Sequence, residues 1–255
     1  MKKLLAMLLS TVTLLSLAAC GGGEGDTKTE SMNNSHAGTS VYYGPGGNGN
    51  ATISVEENLK DFKCITFGTY EQDNDTSNGA EDIEWLVLDE QDGKTLVISK
   101  HALDAKAFRE DQSFSSWANS TLGTWLNADF YNTAFSDSEK SMIITTDVKA
   151  EKNPRKDGGS GADTQDKVFL LSIGEVLEYF VSDEKMMCKP TEYAIAQGAE
   201  PNKNYDGSCE WWLRTNGDNY GWAAAVYYHG GIDYYGNEVE DSSTAVRPAM
   251  WITIG

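Results

Sequence analysis

The sequence predicts a single α+β domain over residues 54–255, with mixed or antiparallel sheets and two or three helices. Three observations predict this class. A strand and a hairpin open the segment, apolar residues at helical spacing follow, and short strands between Gly/Asn-rich turns close it. Strands grouped on either side of a helical middle are typical of α+β rather than alternating α/β folds. About 200 residues suffice for one substantial core.

The first elements of the predicted domain are three strands. Residues 62–70 have strand composition, and an acidic loop, 73–82, separates them from strands 83–89 and 95–100. The turn Gln91-Asp92-Gly93-Lys94 has the Asp-Gly pair that tight hairpins favour, so 83–100 is predicted as a hairpin.

Helical spacing begins after the hairpin and predicts an amphipathic helix. Its apolar residues are Trp117, Leu122, Trp125, Leu126, Phe130 and Phe135. Ser136-Asp137-Ser138-Glu139 is a capping signal for a short second helix. We further expect a polar loop at 149–166, a strand at 168–171, and helical segments at 173–180 and, after Pro190, at 191–197.

The C-terminal segment is predicted to be mostly strand. Residues 210–215 contain adjacent tryptophans, Trp211 and Trp212, which would face opposite sides of a sheet. A second strand is expected at 223–228, a turn follows at 229–231, and residues 245–252 are expected to form one closing strand.

The N-terminus has the pattern of a secretory signal, predicted at residues 1–19. Met1-Lys2-Lys3 is followed by an apolar run, 4–17, that is too short to span a membrane, and by small residues before Cys20. Leu17-Ala18-Ala19-Cys20 resembles the lipobox of bacterial lipoproteins, which implies a lipid on Cys20 and attachment to a membrane. A plain secreted protein with a chance cysteine is the alternative.

Residues 20–53 are predicted to form a flexible tether. They are rich in Gly, Ser, Thr and Asn and lack hydrophobic periodicity, so they cannot bury enough apolar surface to fold. A coil of about 33 residues has an end-to-end distance of roughly 30 Å. We therefore expect a domain held outside the cytoplasm, clear of the membrane.

The chain is strongly acidic. Its formal charge is −19, and removal of Lys2 and Lys3 with the signal makes it −21. Such a charge excludes a generic nucleic-acid-binding protein, which would be basic. It also disfavours adsorption to anionic lipid, and solubility alone would explain much of it.

Three cysteines remain after Cys20 is assigned to lipid. An odd number in an exported protein permits at most one internal bridge. We expect the disulfide Cys188–Cys209, with Cys64 buried in the first strand, although connectivity does not follow from sequence. The cysteine spacings do not match a zinc site.

Several short segments together resemble an uncharacterised domain family of bacterial surface proteins. These are Thr124-Trp125-Leu126-Asn127, Phe130-Tyr131-Asn132, Ala134-Phe135-Ser136, Trp211-Trp212-Leu213-Arg214 and Val246-Arg247-Pro248-Ala249-Met250-Trp251. The last is similar to the Gly-Phe-Arg-Pro-Ala ending of the sulfatase-modifying-factor branch of the C-type-lectin-like fold, with Ala245-Val246 in place of Gly-Phe. The resemblance implies a C-type-lectin-like domain whose N- and C-terminal strands pair and whose long loops carry function.

The sequence contains no catalytic motif that we could identify. It lacks a Gly-x-Ser-x-Gly elbow and a His-Glu-x-x-His helix, and carboxylates are too common here to be informative. No catalytic residue is therefore predicted. A cell-envelope enzyme related to sulfatase-modifying factors, with altered chemistry, remains the alternative.

A weak calcium signal is present. Glu200-Pro201-Asn202 matches the calcium-dependent sugar-binding triplet of C-type lectins, which implies Glu200, Asn202 and Asp218 as candidate ligands. The family's Trp-Asn-Asp sequence reads Thr215-Asn216-Gly217-Asp218 here, so we predict no firm metal or other cofactor.

The stronger functional signal is a Tyr-, Asn- and Asp-rich segment after residue 215. Such composition is typical of recognition loops, because aromatic rings give rigid contact area and polar residues adapt to the partner. We predict an extracellular glycan or protein ligand, and the resemblance permits a diversified receptor or adhesin. The predicted ligand-binding residues are Asn216, Asp218, Asn219, Tyr220, Tyr228, His229, Asp233, Tyr234, Tyr235 and Asn237.

Overall fold

A computed structural model describes residues 54–111, 116–156 and 159–253, all of which belong to one compact unit. The predicted signal peptide, Cys20 and the tether to residue 53 lie outside the described residues. The α+β class is confirmed. Within the described ranges, every helix is too short or too polar to cross a membrane.

Strands make up most of the described structure. Their bounds are β1 Cys64–Tyr70, β2 Glu81–Gln91, β3 Lys94–Ser99, β4 Asp104–Ala105, β5 Thr146–Val148, β6 Thr164–Asp166, β7 Trp211–Asn216, β8 Trp222–Val226, β9 Ile232–Glu238, β10 Ala245–Val246 and β11 Ala249–Thr253.

The helices are short and lie mainly between the two groups of strands. They are α1 Val55–Leu59, α2 Thr121–Trp125, α3 Tyr131–Ala134, α4 Asp137–Lys140, α5 Ile173–Tyr179, α6 Asp183–Met186 and α7 Glu192–Gln197. A π-helical turn, Leu126–Phe130, joins α2 to α3, and 3-10 turns lie at Trp117–Asn119 and Lys203–Tyr205.

Two larger sheets organise the strands. One has the order β1-β2-β3-β11 and the other β4-β10-β7-β8-β9, while β5 and β6 form a separate pair. The C-terminal strand β11 pairs with β3 and lies at the opposite edge from β1. The pairing of N- and C-terminal strands that the resemblance implied is therefore wrong.

The predicted N-terminal hairpin is confirmed. The turn residues Asp92 and Gly93 have positive φ angles of 50° and 73°, which is the backbone that a tight hairpin with right-handed twist requires. Cys64, expected to be buried, is exposed at the start of β1, because its side chain lies on the outward face of this edge strand.

The predicted helical region is confirmed, but it is broken by the π-turn. Ser136 and Glu139 form the expected capping box, in which the Ser136 amide donates to Glu139 Oε2 at 2.8 Å. Ser120 caps α2 in the same way by accepting from the Gly123 amide at 2.9 Å.

The predicted strand at 168–171 is wrong, since this segment makes only an isolated bridge between Phe169 and Ala249. The side chain of Asn127 takes the place of a neighbouring strand. Its Oδ1 accepts from the Lys167 amide at 2.8 Å, and its Nδ2 donates to the Val168 carbonyl at 2.8 Å. A side-chain amide thus satisfies backbone groups that a ladder would otherwise pair.

The single closing strand predicted at 245–252 is two strands, β10 and β11, which belong to different sheets. The chain crosses between the sheets at Arg247 and Pro248. Proline has no amide hydrogen to continue a ladder. The Pro248 carbonyl instead accepts from the Ser99 amide at 2.9 Å, which attaches the crossing to the end of β3.

Arg247 is fully buried at this crossing. Its Nε donates to the Ser99 carbonyl at 2.9 Å, and its guanidinium lies 5.0 Å from the Trp211 ring and 5.6 Å from the Phe180 ring. Nη1 and Nη2 have no hydrogen-bond partner among the described residues. The cation is held by one carbonyl and two aromatic faces, a mode of packing that suits the planar guanidinium.

The Trp-Trp-Leu-Arg segment of β7 is also buried. Trp211 Nε1 donates to the Met186 carbonyl at 3.0 Å, and Trp212 Nε1 donates to the Lys106 carbonyl at 2.9 Å. Arg214 forms a two-point ion pair with Glu175 at the start of α5. The segment therefore holds the core together and does not contact solvent.

The expected Cys188–Cys209 disulfide is not formed, and both residues are buried free thiols. The two are neighbours, since the Cys209 amide donates to the Cys188 carbonyl at 2.8 Å. Cys188 Sγ, however, points to the carbonyls of Lys100 and Lys189, each at 3.6 Å. Burial raises the pKa of both thiols, which keeps them protonated.

Replacing Arg247 by lysine should lower the free energy of unfolding by about 2–4 kcal/mol. Lysine keeps a buried charge but loses the Nε donor and the flat face that packs on Trp211. Urea denaturation followed by tryptophan fluorescence measures the change. Arg155→Lys is the matched control, because exposed Arg155 lies over the Tyr234 ring at 3.9 Å and should change stability by less than about 0.5 kcal/mol. Equal effects of the two variants would contradict the structural role of Arg247.

Candidate functional site

The predicted ligand-binding residues occupy two separate regions. One is the β7–β8 turn, residues 217–221, together with the middle of β9. The other is the β8–β9 turn, residues 227–231. Because β7, β8 and β9 are successive antiparallel neighbours, the two turns lie at opposite ends of β8, about 14 Å apart for five residues. A single site containing every predicted residue does not exist.

Asn216 is a structural residue, which corrects its assignment to ligand binding. It is buried in β7, its carbonyl accepts from Asn153 Nδ2 at 3.0 Å, and its own Nδ2 donates to the Gly159 carbonyl at 3.2 Å. Asn153 also donates to the Tyr234 carbonyl at 2.7 Å, so these contacts tie the 150s loop to the sheet.

Asp233 is likewise misassigned, since it is only 5% exposed. Its Oδ1 accepts from the Tyr235 amide at 3.0 Å. Burial, followed by the hydrogen bond to Asp233, raises the pKa of Tyr227 far above its ordinary value. Asp233 is therefore a buried residue that influences its surroundings through its negative charge and through its hydrogen bond with Tyr227.

The β7–β8 turn carries exposed tyrosines. Tyr220 and Tyr235 are 67% and 62% exposed, whereas Tyr234 is covered by the guanidinium of Arg155. The Asp218 amide donates to the Tyr235 carbonyl at 2.9 Å, and the Asn219 carbonyl accepts from Trp222. These contacts fix the turn backbone beneath the exposed rings.

The β8–β9 turn, in contrast, borders a cleft of about 230 Å³. The cleft lies between the loop after α7, this turn and the segment before β10. Its lining residues are Glu200, Pro201, Asn202, Glu210, Tyr228, Ser243 and Thr244. Predicted residues Glu200, Asn202 and Tyr228 thus come together here.

Glu210 is the half-buried carboxylate of the cleft. It directly precedes β7, and its carbonyl accepts from the Ala245 amide at 2.9 Å, which sets it beside Thr244. Asn237 Nδ2 donates to Glu210 Oε2 at 3.1 Å and to Thr244 Oγ1 at 2.9 Å. Asn237, predicted to contact ligand, therefore positions the carboxylate.

The electrostatic environment of Glu210 is negative. Burial is the largest cause that raises the pKa of Glu210, and the charges of Asp233, Asp241 and Glu200 raise it further. The hydrogen bond from Asn237 acts in the opposite direction. Among the ion pairs of residues 54–111, 116–156 and 159–253, none includes any of these four carboxylates.

Tyr228 forms an aromatic wall of the cleft. Its backbone carbonyl accepts from Ser208 Oγ, and its ring centroid lies 5.0 Å from that of Tyr205. His229 packs edge-on to Tyr228 at 5.5 Å, and its Nδ1 accepts from the Gly231 amide at 3.1 Å. Burial lowers the pKa of His229, which favours a neutral packing residue over the predicted ligand contact.

Glycine at position 230 allows the backbone conformation that places Tyr228 along the cleft. Its φ angle is +88°, and a Cβ there would lie 1.7 Å from the Asp183 carbonyl oxygen at the start of α6. The β8–β9 turn is therefore pressed against α6, which limits the movement of Tyr228 relative to the rest of the domain.

The weak calcium candidates are only partly brought together. Glu200 and Asn202 line the cleft, but Asp218 lies in the turn at the other end of β8. The Asn202 side-chain oxygen is also occupied, because it accepts from the Asn204 amide at 3.0 Å. The C-type-lectin arrangement that these three residues would need is absent from the described part of the chain.

Glu71, Asp73 and Glu81 form another acidic group, with oxygen atoms within 4.8 Å of one another. Glu81 Oε2 accepts from the Gln72 amide at 2.7 Å, and Asp73 Oδ2 accepts from Asn78 Nδ2 at 2.7 Å. Two of the three carboxylates therefore serve the amides of their own loop, while Glu71 Oε1 is buried without a hydrogen-bond partner among the described residues.

Sequence reasoning missed three cleft residues: Glu210, Ser243 and Thr244. Glu210 had a signal, because a lone carboxylate borders a fully apolar Trp-Trp-Leu strand and must either reach solvent or find a polar neighbour. Ser243 and Thr244 had none, since their position depends on the chain crossing between sheets at Arg247.

Comparison with known proteins gives one family. The model of a family described as Domain of unknown function (DUF6273) matches residues 92–254. No curated protein and no solved structure matches the chain. The matched range contains the whole cleft.

Glu210→Gln should stabilise the protein at neutral pH. The raised pKa means that the folded state binds the Glu210 proton more tightly than the unfolded state, so the wild type loses stability as pH rises from the ordinary carboxyl range through the raised value. The variant lacks this loss. Its advantage in unfolding free energy should therefore vanish in acid, where Glu210 is protonated in both states.

Urea denaturation across the acid-to-neutral range measures the difference between variant and wild type. Asp218→Asn removes the same charge from the distant turn and serves as the control. A Glu210→Gln protein that is less stable than wild type at neutral pH, or whose difference does not depend on pH, would contradict the assignment.

Proposed function

The chain belongs to the DUF6273 family, whose function is unknown, and from its own cleft we propose that it is a membrane-anchored surface lipoprotein that binds an extracellular ligand. In this proposal Cys20 carries the lipid, residues 20–53 are the tether, and the C-type-lectin-like domain holds the ligand, a glycan or a protein. The N-terminal sequence supports the anchor, and the cleft supports the binding function.

The observation that carries the binding proposal is the chemistry of the cleft. An aromatic ring, Tyr228, stands beside a carboxylate, an amide and two hydroxyl groups around one concavity. Small-molecule sites usually combine apolar or aromatic surface with a few fixed polar groups. With a volume of about 230 Å³, the cleft is smaller than drug-sized sites and suits one sugar ring or one side chain of a larger ligand.

The scaffold around the cleft is rigid, which supports recognition rather than simple surface exposure. Asn237 holds Glu210, Ser208 holds the Tyr228 backbone, and Asp241 accepts from Ser243 Oγ at 2.7 Å. Groups that are already held in position lose little conformational freedom on binding. The exposed tyrosines Tyr220 and Tyr235 lie outside the cleft and are a secondary contact surface in this proposal.

A cell-envelope enzyme is the second candidate. The observation that favours it is the raised pKa of Glu210 beside a second carboxylate, Glu200, because perturbed carboxyl groups in clefts are common in acid–base catalysis. The cysteine chemistry of sulfatase-modifying factors has less support, since Cys188 and Cys209 are buried and protonated. Turnover of a bound glycan by the wild type but not by Glu210→Gln would favour the enzyme.

Cys20→Ser should release the protein from the membrane. Without the thiol no lipid can be attached, and the remaining chain has no described helix that could span the bilayer. Membrane and soluble fractions of cells expressing each form, probed by immunoblotting, measure the change. Cys64→Ser is the control because Cys64 is an exposed thiol within the domain. Continued membrane retention of Cys20→Ser would contradict the anchor.

Tyr228→Ala should reduce ligand binding by about tenfold, since loss of one rigid aromatic contact typically removes 1–2 kcal/mol. Binding to a glycan array and capture from an extracellular proteome provide the measurement. Tyr235→Ala removes an equally large, more exposed ring at the other end of the sheet and should have little effect. Loss of binding in Tyr235→Ala alone would move the site to the β7–β8 turn.

A further inference from the structure

We propose that the cleft recognises a primary ammonium group, carried by an amino sugar at the end or along the chain of an extracellular glycan. This inference rests on the proposed binding function and names the ligand class for the same site. It depends on three features: carboxylates without an internal cation, an aromatic wall, and neutral hydrogen-bonding groups around them.

The carboxylates converge on the cleft from three parts of the chain. Glu200 comes from the loop after α7, Glu210 precedes β7, and Asp233 and Asp241 lie behind Glu210 on β9 and the segment after it. Glu210 is half buried, and among the described residues its side chain accepts from the neutral amide of Asn237. Removal of a carboxylate from solvent is costly unless a cation or hydrogen-bond donors compensate it.

The cations nearest in sequence to the cleft do not pair with its carboxylates. Lys203 follows Asn202 and is exposed, whereas Lys189 pairs with Asp206 at 2.8 Å and Lys185 pairs with Asp61 at 2.8 Å. Arg247 is enclosed in the core between Trp211 and Phe180. Within the described part of the chain, no lysine or arginine pairs with Glu200 or Glu210. An incoming ammonium group would provide the missing charge.

The remaining lining favours an amino sugar over a simple amine. Tyr228 offers an aromatic face that attracts a cation and packs against a sugar ring. Asn202 Oδ1, Ser243 Oγ and Thr244 Oγ1 already make hydrogen bonds within the protein, but Asn202 Nδ2 and the remaining lone pairs of the two hydroxyl groups can still pair with the hydroxyl groups of a sugar. A lysine side chain would use the carboxylates and the ring but not this remaining hydrogen-bonding capacity.

The net negative charge of the protein also favours a cationic ligand, and it acts over a longer distance than the contacts within the cleft. A chain with a formal charge of −19 attracts cationic glycans and repels anionic ones before contact.

The test measures binding of two matched hexasaccharides to the full-length protein in detergent micelles by isothermal titration calorimetry. One is a glucosamine hexamer with free amines, and the other is its fully N-acetylated form. The titrations are repeated at about pH 5, 6 and 7, because the raised pKa of Glu210 moves the ionisation of this carboxyl group toward neutral pH. We expect the free-amine hexamer to bind at least about tenfold more tightly, corresponding to one charge-assisted contact.

Glu210→Gln removes the negative charge of residue 210 but keeps the size and shape of its side chain. It should weaken binding of the free-amine hexamer by about tenfold and change binding of the acetylated hexamer by less than about twofold. Asp218→Asn is the matched control and should change neither affinity by more than about twofold. Thermal unfolding of each variant confirms that the compared proteins are folded.

Each other result overturns the inference in an identifiable way. Equal binding of the two hexamers, lost in Tyr228→Ala, would leave the proposed binding function intact and reject ammonium recognition. Binding of oligolysine but not of the free-amine hexamer would reject the amino sugar. If neither hexamer binds and the glycan array and proteome capture also find no ligand, the proposed function falls together with the inference.

Discussion

The guanidinium of Arg247 joins the two large sheets. Its Nε bonds to the Ser99 carbonyl at the end of β3, and its face lies against Trp211 on β7 of the other sheet. The chain itself changes sheet at this point, from β10 to β11. A buried cation with only one hydrogen bond is costly unless its surroundings are held firmly around it. The domain meets this requirement with rings on both sides and with Pro248 bonded to β3.

The cleft depends on the same crossing. Because β10 runs beside β7, the Ala245 amide bonds to the Glu210 carbonyl, and this contact brings Ser243 and Thr244 to the carboxylate. On the other side of the cleft, Gly198 ends α7 next to the 242–243 backbone and sends Glu200 and Asn202 into place. The residues that build the core and those that line the cleft are therefore linked through these backbone contacts.

The local signals in the sequence predicted much of the fold but only part of the site. The Asp92-Gly93 turn and the Ser136/Glu139 capping box were found because each is specified by residues within a few positions. The sequence did not predict that the closing strand is split, or that Asn127 replaces a strand at 168. Both features depend on partners far away in sequence. The 200–237 segment was correctly noticed as polar and aromatic, but sequence alone did not separate buried Asn216 and Asp233 from the cleft residues, because alternation within the bulged strands β7 and β9 is irregular.

In the proposed function, Glu210 is an ionisable group kept without a cation of the protein so that a ligand can supply one. Carbon-13 NMR of the Glu210 side-chain carboxyl, assigned by comparison with Glu210→Gln and titrated with and without the glucosamine hexamer, measures this property. We expect a pKa above the ordinary glutamate range in the free protein that falls when the hexamer is bound. An ordinary pKa in the free protein, or a raised one that does not respond to the hexamer, would rule out this role.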